Sequence, residues 1–240
     1  MKNRLDSELV KHGLVSTRSQ AESYIKLGYV TVNGQTATKP GLFVSEDAKI
    51  ALNIKDQYVS RAGLKLASVA EALKLNFTDK TVLDVGSSTG GFTDYALQHG
   101  AKQVIAVDVG TNQLHPKLRT DKRIELHEQT DIRNFVKGAT SHIDMVVVDV
   151  SFISLREILP YISQLMSHYS QLVAMVKPQF EAGKAQINKG VIKNDHMRRD
   201  ILKDFEVWVQ KLFVIQGKAD SEVPGNKGNR EKFYLLNKVG

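Results

Sequence analysis

The chain predicts a doubly wound α/β sheet preceded by a small α+β module, and three observations carry that prediction. Apolar runs recur near 81–85, 104–107, 124–126, 144–148, 171–176, 212–215 and 232–236, mostly with helical stretches between them. Such alternation, with continuous runs like Met145-Val146-Val147-Val148 that suit strands buried on both faces, belongs to a largely parallel sheet covered by helices. The strand at 81–85 then runs straight into Gly86-Ser87-Ser88-Thr89-Gly90-Gly91, a turn whose glycines let bare backbone approach a ligand. Finally, the character of the chain changes near residue 55, which predicts a module over 1–55 and a larger domain over 56–240.

In the module, Arg4-Leu5-Asp6-Ser7-Glu8-Leu9-Val10 begins a short amphipathic helix that Gly13 is placed to stop. A second helix has Ser16 or Thr17 as its cap, Ala21, Tyr24 and Ile25 as its apolar side, and Gly28 as its left-handed end. Next, Tyr29-Val30-Thr31-Val32 and Gln35-Thr36-Ala37 flank Asn33-Gly34, the dipeptide most favourable to a type I′ hairpin. A compact helix-helix-hairpin unit is expected.

In the larger domain, helical periodicity around Leu64, Leu66, Val69, Ala70 and Leu73 leads into the strand at 81–85. After the glycine turn, a helix starting near Gly91 would point its first amides at a polar group. About twenty residues on, Val104-Ile105-Ala106-Val107-Asp108 forms a second strand ending in a carboxylate, where α/β folds commonly place the acceptor for a ribose diol. The bare turn and Asp108 together predict an adenosine-containing cofactor. Pyrophosphate fits poorly, because the turn lacks both the dinucleotide spacing and the Gly-Lys-Ser/Thr ending of a phosphate loop.

Composition sets outer limits. A chain of 240 residues, 42% hydrophobic and 25% charged, buries a real core and has room for one full domain and a small one. A formal charge of +7 and a pI near 9.4 favour a polyanionic partner. Without cysteine there is no disulfide framework and no thiolate metal site. The start, Met-Lys-Asn-Arg-Leu-Asp, has no apolar h-region, and no run reaches the roughly 18 apolar residues of a membrane span, so a cytoplasmic protein is expected. His99, His115, His127, His142, His168 and His196 form no two-histidine ligand spacing, and no metal is expected.

Open α/β sheets keep their chemistry at the carboxyl ends of the strands. Asp149 ends one apolar run, Lys177 ends another, Glu231 opens the last strand, and Lys65 lies on the helix before the sheet. An ammonium beside another cation loses proton affinity and two carboxylates can orient it, so Lys177 is suited to act as a base or as a cationic stabiliser.

These residues carry a resemblance. Asp-Val-Gly-Ser-Ser-Thr-Gly-Gly-Phe resembles the first motif of S-adenosylmethionine-dependent methyltransferases of the FtsJ/RrmJ-like branch, and the order Lys65, Asp149, Lys177, Glu231 resembles the catalytic tetrad of its 2′-O-methyltransferases. The resemblance implies a Rossmann-like methyltransferase sheet with an antiparallel last strand, reached through the turn around Pro224-Gly225-Asn226-Lys227-Gly228. It implies that Gly86, Ser87, Gly90 and Gly91 cradle the methionine part of the cofactor, that Asp108 holds its ribose, and that Asp84, Ser88 and Phe92 also belong to the cofactor site. Asp131 would meet the adenine amino group or cap a helix. Phe152 would stack on a base or on the cofactor, or belong to the core.

Residues 2 to 50 resemble the small RNA-binding module named after ribosomal protein S-four, which makes Arg4, Arg18, Ser19, Gln20 and Lys26 candidates for RNA contact. From end to end the chain is similar to the TlyA or hemolysin A family. That similarity implies cytidine 2′-O-methylation of ribosomal RNA, with the large subunit as the target associated with short members. Departures from the family pattern are Ala62 in place of a second glycine, Asp131 in place of asparagine, and Lys232 between Glu231 and Phe233. A non-catalytic ribosome-binding factor would leave the strand-end charges idle, and a pore-forming hemolysin follows only from the family's name. The segment 180–190 is expected either to close over RNA or to be an ordinary connection, with Lys184, Lys189, Lys193, Arg198 and Arg199 extending a basic face.

Overall fold

A computed structural model describes residues 2–15, 17–26, 28–53, 58–135, 142–182, 192, 194–225 and 228–239. The module comprises β1 (Lys2–Arg4), α1 (Leu5–Lys11), α2 (Arg18–Lys26), β2 (Val30–Val32), β3 (Gln35–Ala37), β4 (Phe43–Ser45) and β5 (Ile50–Leu52). Ala21, Tyr24 and Ile25 form the buried side of α2. The hydroxyl of Thr17 accepts from the Gln20 amide at 3.2 Å, so Thr17 serves as a cap, while Ser16 lies outside the described residues. Asn33 (φ 51°) and Gly34 (φ 80°) make the hairpin turn in the left-handed region that type I′ requires.

Three strands of the module go beyond the helix-helix-hairpin expectation. β1 pairs antiparallel with β4, and β5 joins β2 and β3 in a three-stranded sheet. Arg4 accordingly ends a strand, and the helix begins one residue later at Leu5. Three-residue strands show too little alternation to be read locally, and their partners lie far along the chain.

The larger part runs α3 (Arg61–Ala70), β6 (Thr81–Val85), α4 (Gly91–Gln98), β7 (Gln103–Val107), α5 (Pro116–Arg119), β8 (Ile124–His127), α6 (Ile132–Phe135), β9 (Met145–Val148), α7 (Leu159–Leu165), β10 (Gln171–Val176), α8 (Pro178–Glu181), α9 (Asp195–Val209), β11 (Phe213–Asp220) and β12 (Lys232–Lys238). Its seven strands lie in the order β11-β12-β10-β9-β6-β7-β8. β12 pairs antiparallel with both neighbours, and the pairs from β10 through β8 are parallel. Every residue of β9 is buried, and apolar clusters cover both faces of the sheet. β11 is longer than its apolar run because it is an edge strand that, after the buried Phe213, alternates exposed with half-buried residues, so its polar positions hide it.

The strand order reverses beside β6, whose neighbours are β7 and β9, and the crevice outside that point is where such sheets take ligands. One contact ties the module to this end, and a second fixes the segment that leads from it into α3. Arg61, at the start of α3, donates to the Ser23 hydroxyl of α2 and to the Pro224 carbonyl between β11 and β12. The Val59 amide donates to the buried Asp94 carboxylate of α4 at 2.7 Å.

Candidate active site

The turn after β6 is shaped by what cannot fit there. Gly86 has φ 81°, and a Cβ on it would lie 2.6 Å from the Asp149 carbonyl oxygen, so the glycine turn and the end of β9 touch backbone to backbone. Gly90, with φ 89°, leads into α4, and a Cβ there would run into Leu114 and Leu118. Gly91 opens α4 against Ser60 and Ala62.

Asp108, just beyond β7, accepts from the Ser88 amide at 2.8 Å and the Gly110 amide at 2.7 Å. These bonds fix the carboxylate while leaving lone pairs for a diol. The Ser88 hydroxyl is held by Gln113 at 3.1 Å. Asp84 is fully buried; one oxygen accepts from Thr93 at 2.7 Å, and the other has no hydrogen-bond partner. Burial, with Asp149 and Asp108 adding repulsion against the Thr93 hydrogen bond, pushes its carboxyl up to about 7. The buried Ser87 hydroxyl is also without a partner. Both residues line a cavity of about 140 Å³ with Gly86, Phe92, Asp149 and Lys177. Phe92 is buried, with its ring 6.0 Å from Phe233.

A second cavity, of about 390 Å³, lies over the ends of β6 and β7 and is lined by Gly86, Asp108, Val109, Asp131, Ile132 and Phe152 among others. Asp131 accepts from the Arg133 amide at 2.9 Å and from the Arg133 guanidinium at 2.9 and 2.6 Å. The helix-cap geometry is therefore present, and the same guanidinium holds this carboxyl below its usual range.

The three strand-end charges and Lys65 of α3 form two pairs at this end of the sheet. The Lys177 ammonium lies 2.6 Å from Asp149, donates to the Ser151 hydroxyl at 2.7 Å, and stands 5.9 Å from the Phe180 ring centroid. Lys65 of α3 pairs with Glu231 at 2.5 Å, and both are largely buried. Glu231 packs against Gly225, where a side chain would displace it. A third cavity, of about 960 Å³, extends from these lysines to Thr17 and Gln20 at the start of α2 and to His115 and Lys117 at the start of α5.

Phe152 is 92% exposed at φ 68°, beside Phe180 at 5.3 Å, which corrects the core alternative for this ring. In the module, Arg4 and Arg18 converge on the buried carboxylate of Asp6, at 2.7 and 3.0 Å. The Arg4 hydrogen bonds, reinforced by Arg18, hold Asp6 down at about 2. Gln20 donates to the Tyr24 hydroxyl, Lys26 is exposed at the end of α2, and the side chain of Ser19 lies outside the described residues. Of the expected basic face, Lys184, Lys189 and Lys193 lie outside the described residues, as does most of 180–190, and Arg199 is exposed. Arg198 departs from the expectation: it is buried, donating to the Arg230 carbonyl and pairing with Asp220. Sequence reasoning passed over Ser151, Arg61 and Asp94, since a serine in a loop, an arginine and a helical aspartate carry no local signal of their partners.

Residues 58–238 match the family of FtsJ-like methyltransferases, and residues 3–50 match the S4 domain. The chain belongs to the FtsJ-like methyltransferase family. It is 37% identical over 238 residues to the 16S/23S rRNA (cytidine-2'-O)-methyltransferase TlyA of Mycobacterium tuberculosis, covering 97% of this chain and 89% of that one. It is likewise 37% identical to Hemolysin A of Brachyspira hyodysenteriae, over 95% of this chain and 97% of that one. A solved structure named "Putative hemolysin from Streptococcus thermophilus" superimposes with a TM-score of 0.74 at 40% identity, covering 99% of this chain and 89% of that one.

The cofactor this methyltransferase family implies is S-adenosylmethionine, and the FtsJ-like site fits it. Two buried oxygens without partners, on Asp84 and Ser87, face a small polar cavity beside a turn that excludes side chains. Asp108, whose carboxylate is fixed by two backbone amides, lines the larger cavity next to it.

Proposed function

We propose that this chain methylates a cytidine ribose 2′-hydroxyl of ribosomal RNA, in the large subunit, with S-adenosylmethionine as methyl donor. The observation that carries the reading is the position of Lys177 and its partners. Lys177 lines the small cavity and the cleft, Asp149 lines both cofactor-side cavities, and Ser151 lines all three. The cleft continues to α2 of the S4 domain, the element proposed to meet RNA.

When bound, S-adenosylmethionine supplies an electrophilic methyl carbon on a sulfonium leaving group. Asp84 and Ser87 take its polar methionine end, Asp108 accepts from its ribose diol, and Asp131 borders the space for adenine. On the RNA side, Lys177 Nζ meets the ribose hydroxyl, as acceptor of its proton or as the cation that steadies the oxygen. Asp149 orients that ammonium, while Glu231 orients Lys65 toward the substrate phosphate or hydroxyl. The exposed Phe152 ring offers a stacking face for a base. Arg4, Arg18, Ser19, Gln20 and Lys26 of the 1–55 module position the RNA, and the 56–240 domain performs the transfer.

The test is transfer of labelled methyl to unmethylated ribosomal subunits and free ribosomal RNA, with ribose-methyl mapping, for the wild type and Lys177→Ala. Labelling at one cytidine 2′-oxygen that vanishes in the variant supports the reading. Cofactor binding without labelling of any substrate overturns it in favour of a ribosome-binding factor.

A further inference from the structure

We propose that Ser151 is a positioning residue for the reaction, its hydroxyl forming the second fixed partner of the Lys177 ammonium. The inference rests on the proposed methyl transfer and adds a residue to it. An ammonium has three donors and, held by one carboxylate alone, swings about a flexible four-carbon stem. Here the Ser151 Oγ accepts a hydrogen bond from it at 2.7 Å, while the Asp149 carboxylate of the same loop lies 2.6 Å away as its ion-pair partner.

The loop is built to keep Ser151 there. At one end the Asp149 amide donates to the Val85 carbonyl at 3.1 Å, and the Asp149 carbonyl packs on the bare backbone of Gly86. Immediately after Ser151, Phe152 adopts φ 68°, a left-handed conformation that costs a bulky residue free energy and persists only where its surroundings over-determine it. At the far end the buried carboxylate of Glu181 accepts from the Ser154 hydroxyl at 2.6 Å and the Leu155 amide at 2.8 Å. Glu181 ends α8, the helix that Lys177 precedes, so both partners of the ammonium are tied to the element that carries it. A loop that merely connected β9 to α7 would need none of these restraints. Ser151 lines all three cavities, which places this partner where cofactor and substrate spaces meet.

The experiment compares wild type, Ser151→Ala and Ser151→Thr in full-length protein. In single-site methyl-transfer kinetics, Ser151→Ala lowers kcat about ten- to one-hundredfold, the factor carried by one hydrogen bond to a charged group. KM for RNA and Kd for S-adenosylmethionine stay within about twofold of wild type, and Ser151→Thr recovers most of the loss, since it keeps the hydroxyl acceptor. In parallel, the ¹⁵Nζ-¹Hζ resonance of Lys177 shifts in Ser151→Ala and returns in Ser151→Thr. Unchanged kcat and an unchanged Lys177 resonance in Ser151→Ala overturn the proposal, as does a loss that Ser151→Thr fails to restore. If the wild type itself transfers no methyl, the proposed function fails separately, and the Lys177 resonance still decides whether Ser151 holds the ammonium.

Discussion

In the module a buried carboxylate, Asp6, holds two arginines whose side chains remain 42% and 54% exposed, whereas in the cleft the cations Lys65 and Lys177 are themselves only 12% and 9% exposed. The same kind of ion pair is put to opposite uses. Asp6 is the anchor, and what it steadies faces outward, where a guanidinium can meet a phosphate at the cost of screening by salt. In the cleft both members of each pair are largely withdrawn from water, so the charges act strongly over short distances on whatever enters. The module's charges are therefore suited to binding and the cleft's to chemistry.

The largest effect that sharpens this contrast is expected from Lys177→Ala. It should lower kcat by about 10²- to 10⁴-fold, the range for a positioned acid-base group, while RNA affinity stays near wild type in filter binding. A parallel loss of RNA affinity would break the division of labour. Glu231→Gln comes next. It leaves Lys65 buried without its carboxylate, so urea unfolding should show a loss of about 3 kcal/mol together with lowered turnover. A neutral effect on stability would mean that Lys65 finds water instead.

Asp84 gives a pH-dependent test. Its folded value, about 7, lies above the ordinary carboxylate value, so the folded protein holds this proton more tightly than the unfolded chain. That contribution to stability is complete below the ordinary value and is lost as pH rises toward 7. A cationic ligand end favours the ionised form, so S-adenosylmethionine affinity, read by calorimetry, should weaken by up to about tenfold per pH unit below 7. Asp84→Asn should remove this dependence, and a persisting slope would assign it to another group. The smallest effect belongs to Arg18→Ala. RNA binding should weaken a few-fold, with the salt slope reduced by about one and kcat at saturating RNA unchanged. An unchanged salt slope would show that Arg18 serves only Asp6.

Much of this site was legible along the chain. Gly86 and Gly90 announce a turn that needs left-handed backbone, and Asp108, Asp149 and Lys177 each follow a readable apolar strand. Those signals are local, because strand period and glycine conformation depend on neighbours in sequence. Other features had no such signal. Phe152 reads equally as core or as a surface ring until the left-handed turn after β9 turns it outward, and Arg198 reads as one more surface cation until Asp220 claims it.

By itself the sequence determined the sheet, the glycine turn and which charges stand at strand ends, since these follow from residue patterns within a few turns or strands of chain. Only the tertiary structure decided how those charges are shared. Lys65 reaches Glu231 because α3 is bonded to the connection between β11 and β12 through Arg61 and Ser68, and Lys177 receives Asp149 and Ser151 because β9 and β10 are parallel neighbours. Arg4 and Arg18 meet on Asp6 because α1 and α2 pack together. Pairings of this kind depend on register and on the path of the chain through space, which no local pattern encodes.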